Sequence, residues 1–240
     1  MIETGEDGLP LALRVAWWLT AWARGLAATD LVVDAIVATD ATHLIDTDPL
    51  AVGLGRLRAA GATAFGVALP VEGDPAGLGG PPAFNGAALE EGQALVVLGA
   101  GLGLVPHRTG AAVVWTSLPV DRRQVTDLGE ADRELRRTLP QVADALADLD
   151  VAKWRPEVAD RLLNLRHRPV PKAPDGIPER AVDLAARAVQ AAEIVALALE
   201  DDGGAVSAHE IDRRRDLLLP LERAARHALV AAGSPEAWPE

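Results

Sequence analysis

Cysteine and tyrosine are absent from this chain of 240 residues, and phenylalanine, lysine and asparagine occur twice each. Without a thiol there is no disulfide, no thiolate nucleophile, no Cys-ligated zinc and no iron–sulfur cluster. Basic side chains are outnumbered, 23 against 35 acidic ones, and the net charge of −12 argues against a nucleic-acid binder. Long apolar runs are missing as well. The longest near the N-terminus, Leu9 to Ala23, is interrupted by Arg14 and falls short of the ~20 residues that cross a bilayer. The first charged residues, Glu3, Glu6 and Asp7, are acidic where a secretory leader starts basic. The expectation is a cytoplasmic protein with no membrane partner. Two lysines beside abundant arginine read as codon bias of a GC-rich genome, since folding needs no such split.

What is present is a globular balance, 49% apolar and 24% charged, which excludes wholesale disorder and leaves enough apolar surface for a core. Charge is unevenly spread. Residues 1–120 carry 5 basic and 12 acidic side chains, and residues 121–240 carry 18 and 23. The charge-poor half holds most of the glycine between Gly53 and Gly110, as buried strands and tight turns require. The charge-rich half has the Ala/Leu/Arg texture of amphipathic helices. The division is placed between Leu118 and Asp127, giving a helix-plus-sheet part (1–120) and a helical bundle (121–240) that share one interface.

In the first part, helices are expected over Leu9 to Leu26, over LVVDAIVA after a capping Asp30, and from Pro49 to Ala60 before Gly61. ATAFGVALP (62–70) reads as a strand, the Gly/Pro-rich stretch after it as a loop, and FNGAALEEG as a short helix closed by Gly92. ALVVLG, GLVPH and AAVVWTSL (94–99, 103–107, 111–118) are strands joined too closely for helical crossovers, so they form an antiparallel meander. In the second part, Leu128, Ala131, Leu135, Leu139, Val142, Leu146 and Leu149 make one apolar helical seam, with Asp127 and Glu130 as a capping box and a kink or break expected at Pro140. A helix from Pro156, an extended linker PVPKAPDGIP and helices from 178 and after Ser207 follow, the last bending at Pro220. On helix 178–200 the polar residues Glu179, Arg180, Asp183, Arg187, Gln190, Glu193 and Glu200 form one narrow stripe. A helix with so little wet face is covered, by its own chain or by a second copy.

Motifs with chemical connotations mostly fail on context. Gly99, Gly101 and Gly103 follow a strand as in a dinucleotide fingerprint, but the third glycine is out of place and Pro106 leads into strand and turn rather than a helix. Asp40, His43, Asp46 and Asp48 are metal-ligand types without calcium-loop spacing, and helix ends account for the aspartates. HEIDR (209–213) lacks the second histidine of a zinc motif, and no G-x-S-x-G surrounds Ser117 or Ser207. No metal, cofactor or catalytic set is assigned. The remaining candidate is a ligand-binding group made of Asp74 and Asn85, from the 73–85 loop, with His107 and Arg108 at a strand end. It would hold a small anionic or polar molecule. The basic stretch 153–172 offers Arg161, Arg166 and Arg168 for an anion, a nucleic acid or a protein partner, the nucleic acid being the weaker alternative because Trp154 is the one aromatic there to stack a base.

The stretches LPVEGDPAGLGGPPAFNGAALEEGQALVV, GLGLVPH and ALEDDGGAVSAHE resemble an actinobacterial family of uncharacterised proteins. The resemblance implies a high-GC bacterial source and a cytoplasmic setting, and it brings no activity, cofactor or catalytic residue. The expected fold is α+β, with N-terminal helices on a small, mainly antiparallel sheet of about four strands, followed by a helical bundle. The expected role is that of a non-enzymatic interaction or scaffold protein acting as a homodimer. The alternative is a small-molecule binding protein or enzyme with its pocket near the 73–85 loop.

Overall fold

The computed structural model describes residues 8–38, 40–148, 171–200 and 208–239. The basic residues Arg161, Arg166 and Arg168, and the helix expected from Pro156, lie outside the described residues.

The fold is α+β. Helix α1 (Leu11–Ala23) and helix α2 (Thr29–Val37) lead into β1 (Thr42–Ile45), β2 (Asp48–Pro49) and α3 (Leu50–Ala59). Next come β3 (Ala64–Ala68), α4 (Pro82–Glu91), β4 (Ala94–Leu98), β5 (Leu102–Thr109) and β6 (Ala112–Pro119). The bundle comprises α5 (Leu128–Asp148), α6 (Glu179–Glu200) and α7 (Ala208–Ala232), followed by a short 3-10 turn at Pro235–Ala237. The strands form one open sheet in the order β2-β1-β6-β5-β4-β3. The β3–β4–β5–β6 pairings are antiparallel, as the short connections required, while β1 lies parallel to β6.

The sheet has six strands rather than about four because β1 and β2 come from the acidic stretch around His43. Its period-2 pattern is short and flanked by aspartates, so it reads as helix ends. In the fold His43 and Ile45 point into the core, while Thr42 stays exposed. Asp30 also differs from expectation. Helix α2 starts one residue before it, with Ala28 at the cap and no side-chain capping bond. Asp127 does cap α5, its Oδ1 accepting from the N–H groups of Gly129 at 2.8 Å and Glu130 at 3.2 Å. Helices α5 and α7 run unbroken through Pro140 and Pro220, and both prolines are exposed.

Alternation along the strands sorts the core into two layers. Phe65, Val67, Leu95, Val97, Leu104, Val113 and Trp115 face a main cluster that takes in Leu13, Trp17 and Leu19 of α1 and Leu184, Leu221 and Leu229 of the bundle. Ala68, Val96 and Val105 face the other side, under Phe84 and Ala88 of α4. A Cβ at Gly103 would overlap the Phe84 ring, so glycine is what lets that ring lie on the sheet. Helix α1 is buried on nearly all sides, as its near-continuous apolar sequence demands. The narrow polar stripe of α6 is explained from within the chain. Ala181, Leu184, Ala185, Ala188, Val189, Ala191, Val195, Leu197 and Ala198 are buried, while Glu179, Arg180 and Asp183 are exposed.

Candidate functional site

The four candidate ligand-binding residues stand in separate contacts. Asp74 follows β3 in a tight turn closed by reciprocal backbone bonds with Val71. Its side chain is buried and faces α7. Arg226 donates from Nη1 to Oδ2 at 2.6 Å, His227 Nε2 meets Oδ1 at 2.9 Å, and Arg223 Nε stands 3.9 Å away. Arg226 is itself buried and also donates to Glu222 at 2.7 Å. Burial works to raise the Asp74 pKa. The hydrogen bonds and charges of His227 and Arg226 outweigh it and hold the carboxyl below the usual carboxylate range. The cluster thus ties the turn after β3 to the last helix.

Asn85 sits inside α4, and its Oδ1 accepts from the N–H of Gly80 at 2.9 Å, folding the Gly/Pro loop back on the helix start. His107 meets Glu91 at the far end of α4 through a 2.6 Å bond. Arg108 donates to Asp40 Oδ1 at 2.9 Å. Asp40 in turn accepts on Oδ2 from His43 Nε2 at 2.8 Å, and Trp115 Nε1 donates to His43 Nδ1 at 3.1 Å. Burial lowers the His43 pKa, against the hydrogen bond and charge of Asp40. Asp46 accepts from Ser117 N–H at 2.8 Å and from its hydroxyl at 2.7 Å, and Asp48 pairs with Arg56. Of the four potential metal ligands of this stretch, Asp40 and His43 bind each other while Asp46 binds Ser117 and Asp48 binds Arg56, so they do not converge on one point. No group of three or more metal-ligating side chains occurs among the described residues.

Several residues that organise these contacts carry no motif. The open edge of β3 is closed by side chains. Thr20 of α1 both donates to the Phe65 carbonyl at 3.1 Å and accepts from its N–H at 3.0 Å. Ser234 Oγ accepts from Val67 N–H at 3.1 Å. Arg123, whose side chain is 2% exposed, donates to the carbonyls of Val67 at 2.7 Å and Gly77 at 2.8 Å, to Ser234 Oγ at 3.1 Å and to Glu236 at 3.0 Å. Burial draws the Arg123 pKa down, and Glu236 offsets only part of this. At the opposite edge β2 is two residues long and ends in Pro49. With one edge covered and the other cut short, the sheet offers little template for adding a strand. Thr20 was detectable in sequence as a lone hydroxyl in an apolar helix. Arg123, Ser234, Arg226 and His227 look like ordinary polar residues until the fold brings distant segments together.

A cleft of about 190 Å³ lies between the start of α5, the start of α6 and Pro239. Its polar walls are Asp127, Asp132 and Arg136 on one side and Arg180, Asp183 and Arg187 on the other. Three members of the α6 stripe, Arg180, Asp183 and Arg187, thus line the cleft beside α5. Asp132 is held by Arg187 Nη2 at 2.6 Å and by Arg136 Nη2 at 3.0 Å. Arg187 Nε is buried without an acceptor among the described residues. The opposed charges balance, and among the described residues no serine, threonine or histidine lines the cleft.

A family model described as Rv1486c-like protein, N-terminal domain, matches residues 12–132. Its companion, the C-terminal domain, matches residues 129–230. The chain belongs to the Rv1486c-like family. Two members from Mycobacterium tuberculosis, "Uncharacterized protein Rv1486c" of strain H37Rv and "Uncharacterized protein MT1533" of strain CDC 1551, are each 29% identical to it, over 95% of this chain and 99% of theirs. The actinobacterial resemblance read from the loop, the hairpin and the acidic corner is thereby borne out, and these relatives bring no activity with them. No solved structure matches the chain. No helix among the described residues is long and apolar enough to cross a membrane.

Proposed function

We propose that this chain is a non-enzymatic interaction or scaffold protein of the cytoplasm, acting as a homodimer, with residues 1–120 and 121–240 joined as one body. The observation that carries this reading is the dispersal of the candidate polar groups. Asp74, Asn85, His107 and Arg108 each bind a different part of the fold, so the groups expected to converge on a ligand act as ties. Self-association is supported by Leu139, Leu199 and Leu219, exposed apolar side chains on the three described bundle helices. Light scattering after size exclusion, at high micromolar concentration, should give twice the chain mass. A monomer throughout would retire the dimer.

A second reading, that of a protein binding a small polar ligand, is favoured by the orphaned Nε–H of Arg187 in the α5–α6 cleft. A thermal-shift screen of polar metabolites separates the two, because a ligand that binds only the folded state raises its apparent stability. A stabilising compound whose effect disappears in Arg180→Gln would place the site in the cleft. One whose effect disappears in Asn85→Ala and Arg108→Ala would place it by the 73–85 loop. Either result would displace the scaffold reading.

A further inference from the structure

His43 is fully enclosed, its side chain showing no exposed surface, and both ring nitrogens have partners. The partner at Nδ1 decides the proton's position. An indole N–H can only donate, so the Trp115 bond requires Nδ1 to be a bare acceptor. The ring proton is then on Nε2, where it is donated to Asp40. A protonated imidazole has two donors and no acceptor, and its Nδ1–H would point at the Trp115 N–H. The charged groups around the ring come from three elements: Asp40 ahead of β1, Arg108 on β5 and Arg14 on α1. Asp40 favours the cation, and the two arginines oppose it. Arg108 also shares the Asp40 carboxylate with His43, so that charge is divided between them.

We propose that His43 is a proton-operated latch, which docks the β1 edge onto β6 while neutral and releases it when protonated. The geometry of the edge fits this role. Strand β1 joins the sheet by four parallel register positions, Thr42 to Ala112 through Ile45 to Trp115, and beyond it lies only the two-residue β2. The His43–Trp115 bond crosses this pairing inside the core. Opening the edge would carry Ile45, Leu50 and Leu54 toward water, so an acid-opened form presents apolar surface that the neutral form hides. Burial holds the docked ring below the ordinary histidine range, so protonation of His43 favours the undocked edge. In the undocked edge the ring recovers an ordinary pKa of ~6.5. Linkage then makes opening about tenfold more frequent per pH unit below that value, until the docked ring itself begins to protonate.

Hydrogen exchange on the intact chain, followed by mass spectrometry and corrected for the intrinsic rate at each pH, reads this directly. Between about pH 7.5 and pH 5.5 the opening frequency of peptides spanning β1 should rise, by up to about tenfold, with no matching rise in β4. In His43→Asn, whose amide oxygen can still accept from the indole, the rise should vanish. A flat wild-type response, or the same rise in His43→Asn, overturns the latch. Should that variant fail to fold, the imidazole 15N shifts of the wild-type protein decide. At about pH 7.5 the ring must be neutral with its proton on Nε2, and a charged ring or a proton on Nδ1 at that pH overturns the proposal.

Discussion

Replacing Asp74 by alanine tests the tie between the sheet and the last helix. The side chains of Asp74 and Arg226 are 8% and 5% exposed, so the pair is shielded from water and salt. Alanine removes the acceptor for Arg226 at 2.6 Å and for His227 at 2.9 Å. The turn itself should persist, because its two bonds to Val71 run between backbones. Breaking one side of a buried ion pair costs about 3–5 kcal/mol, since the other charge stays buried. Glu222, which is 42% exposed and bound to the other terminal nitrogen of Arg226, offsets part of that loss. The expected cost is therefore about 2–4 kcal/mol. Urea unfolding followed by tryptophan fluorescence measures it. The double variant Asp74→Ala/Arg226→Met should fall short of additivity by about 1–3 kcal/mol, since it leaves no orphaned charge. A loss below about 1 kcal/mol for Asp74→Ala, or strict additivity, would refute the claim that this pair carries the contact.

Three further outcomes are expected. The Asp74 carboxyl lies below its ordinary range in the fold, so its contribution is complete above the unfolded value of ~3.9 and is lost as pH falls through the folded value. Asp74→Asn should therefore lower stability at neutral pH and flatten the acid limb of a stability–pH curve, and an unchanged limb would contradict this. Arg123→Met leaves the carbonyls of Val67 and Gly77 without their buried donor and uncovers part of the β3 edge, with an expected cost of about 2–4 kcal/mol and more aggregation on heating. An unchanged urea midpoint would show the strap to be dispensable. Gly103→Val drives a side chain into the Phe84 ring and should cost about 1–3 kcal/mol by the same assay, whereas a neutral result would mean that α4 can lift off freely.

The residues explain which parts of this fold could be read in advance. Helix α1 and the meander of β4, β5 and β6 are set by local rules, an unbroken apolar run and connections of a few residues, and both were legible. Gly92 ends α4 in a left-handed conformation that suits glycine, as the sequence suggested. Strand β1 was not legible, because four residues with one buried histidine carry too short an alternation to outweigh the flanking aspartates. The candidate site was legible residue by residue and not as a set. Asp74 is a buried polar group with partners, yet its partners Arg226 and His227 lie more than a hundred residues away on a helix whose sequence shows only amphipathic spacing. Arg123 is the clearest case. It stands in a polar run that reads as a boundary, and its buried role depends on two carbonyls, one serine and one glutamate that only the folded chain assembles.

Scanning calorimetry of the full chain tests most directly whether these polar ties make residues 1–120 and 121–240 one body. The indole N–H groups of Trp17 and Trp238 both donate to the Ala232 carbonyl at the end of α7, at 3.0 Å and 3.1 Å, and Thr20, Ser234 and Arg123 fasten the β3 edge from both sides of the division. The prediction is a single transition whose calorimetric and van't Hoff enthalpies agree. Two separate transitions, or a bundle that melts while the sheet persists, would contradict it.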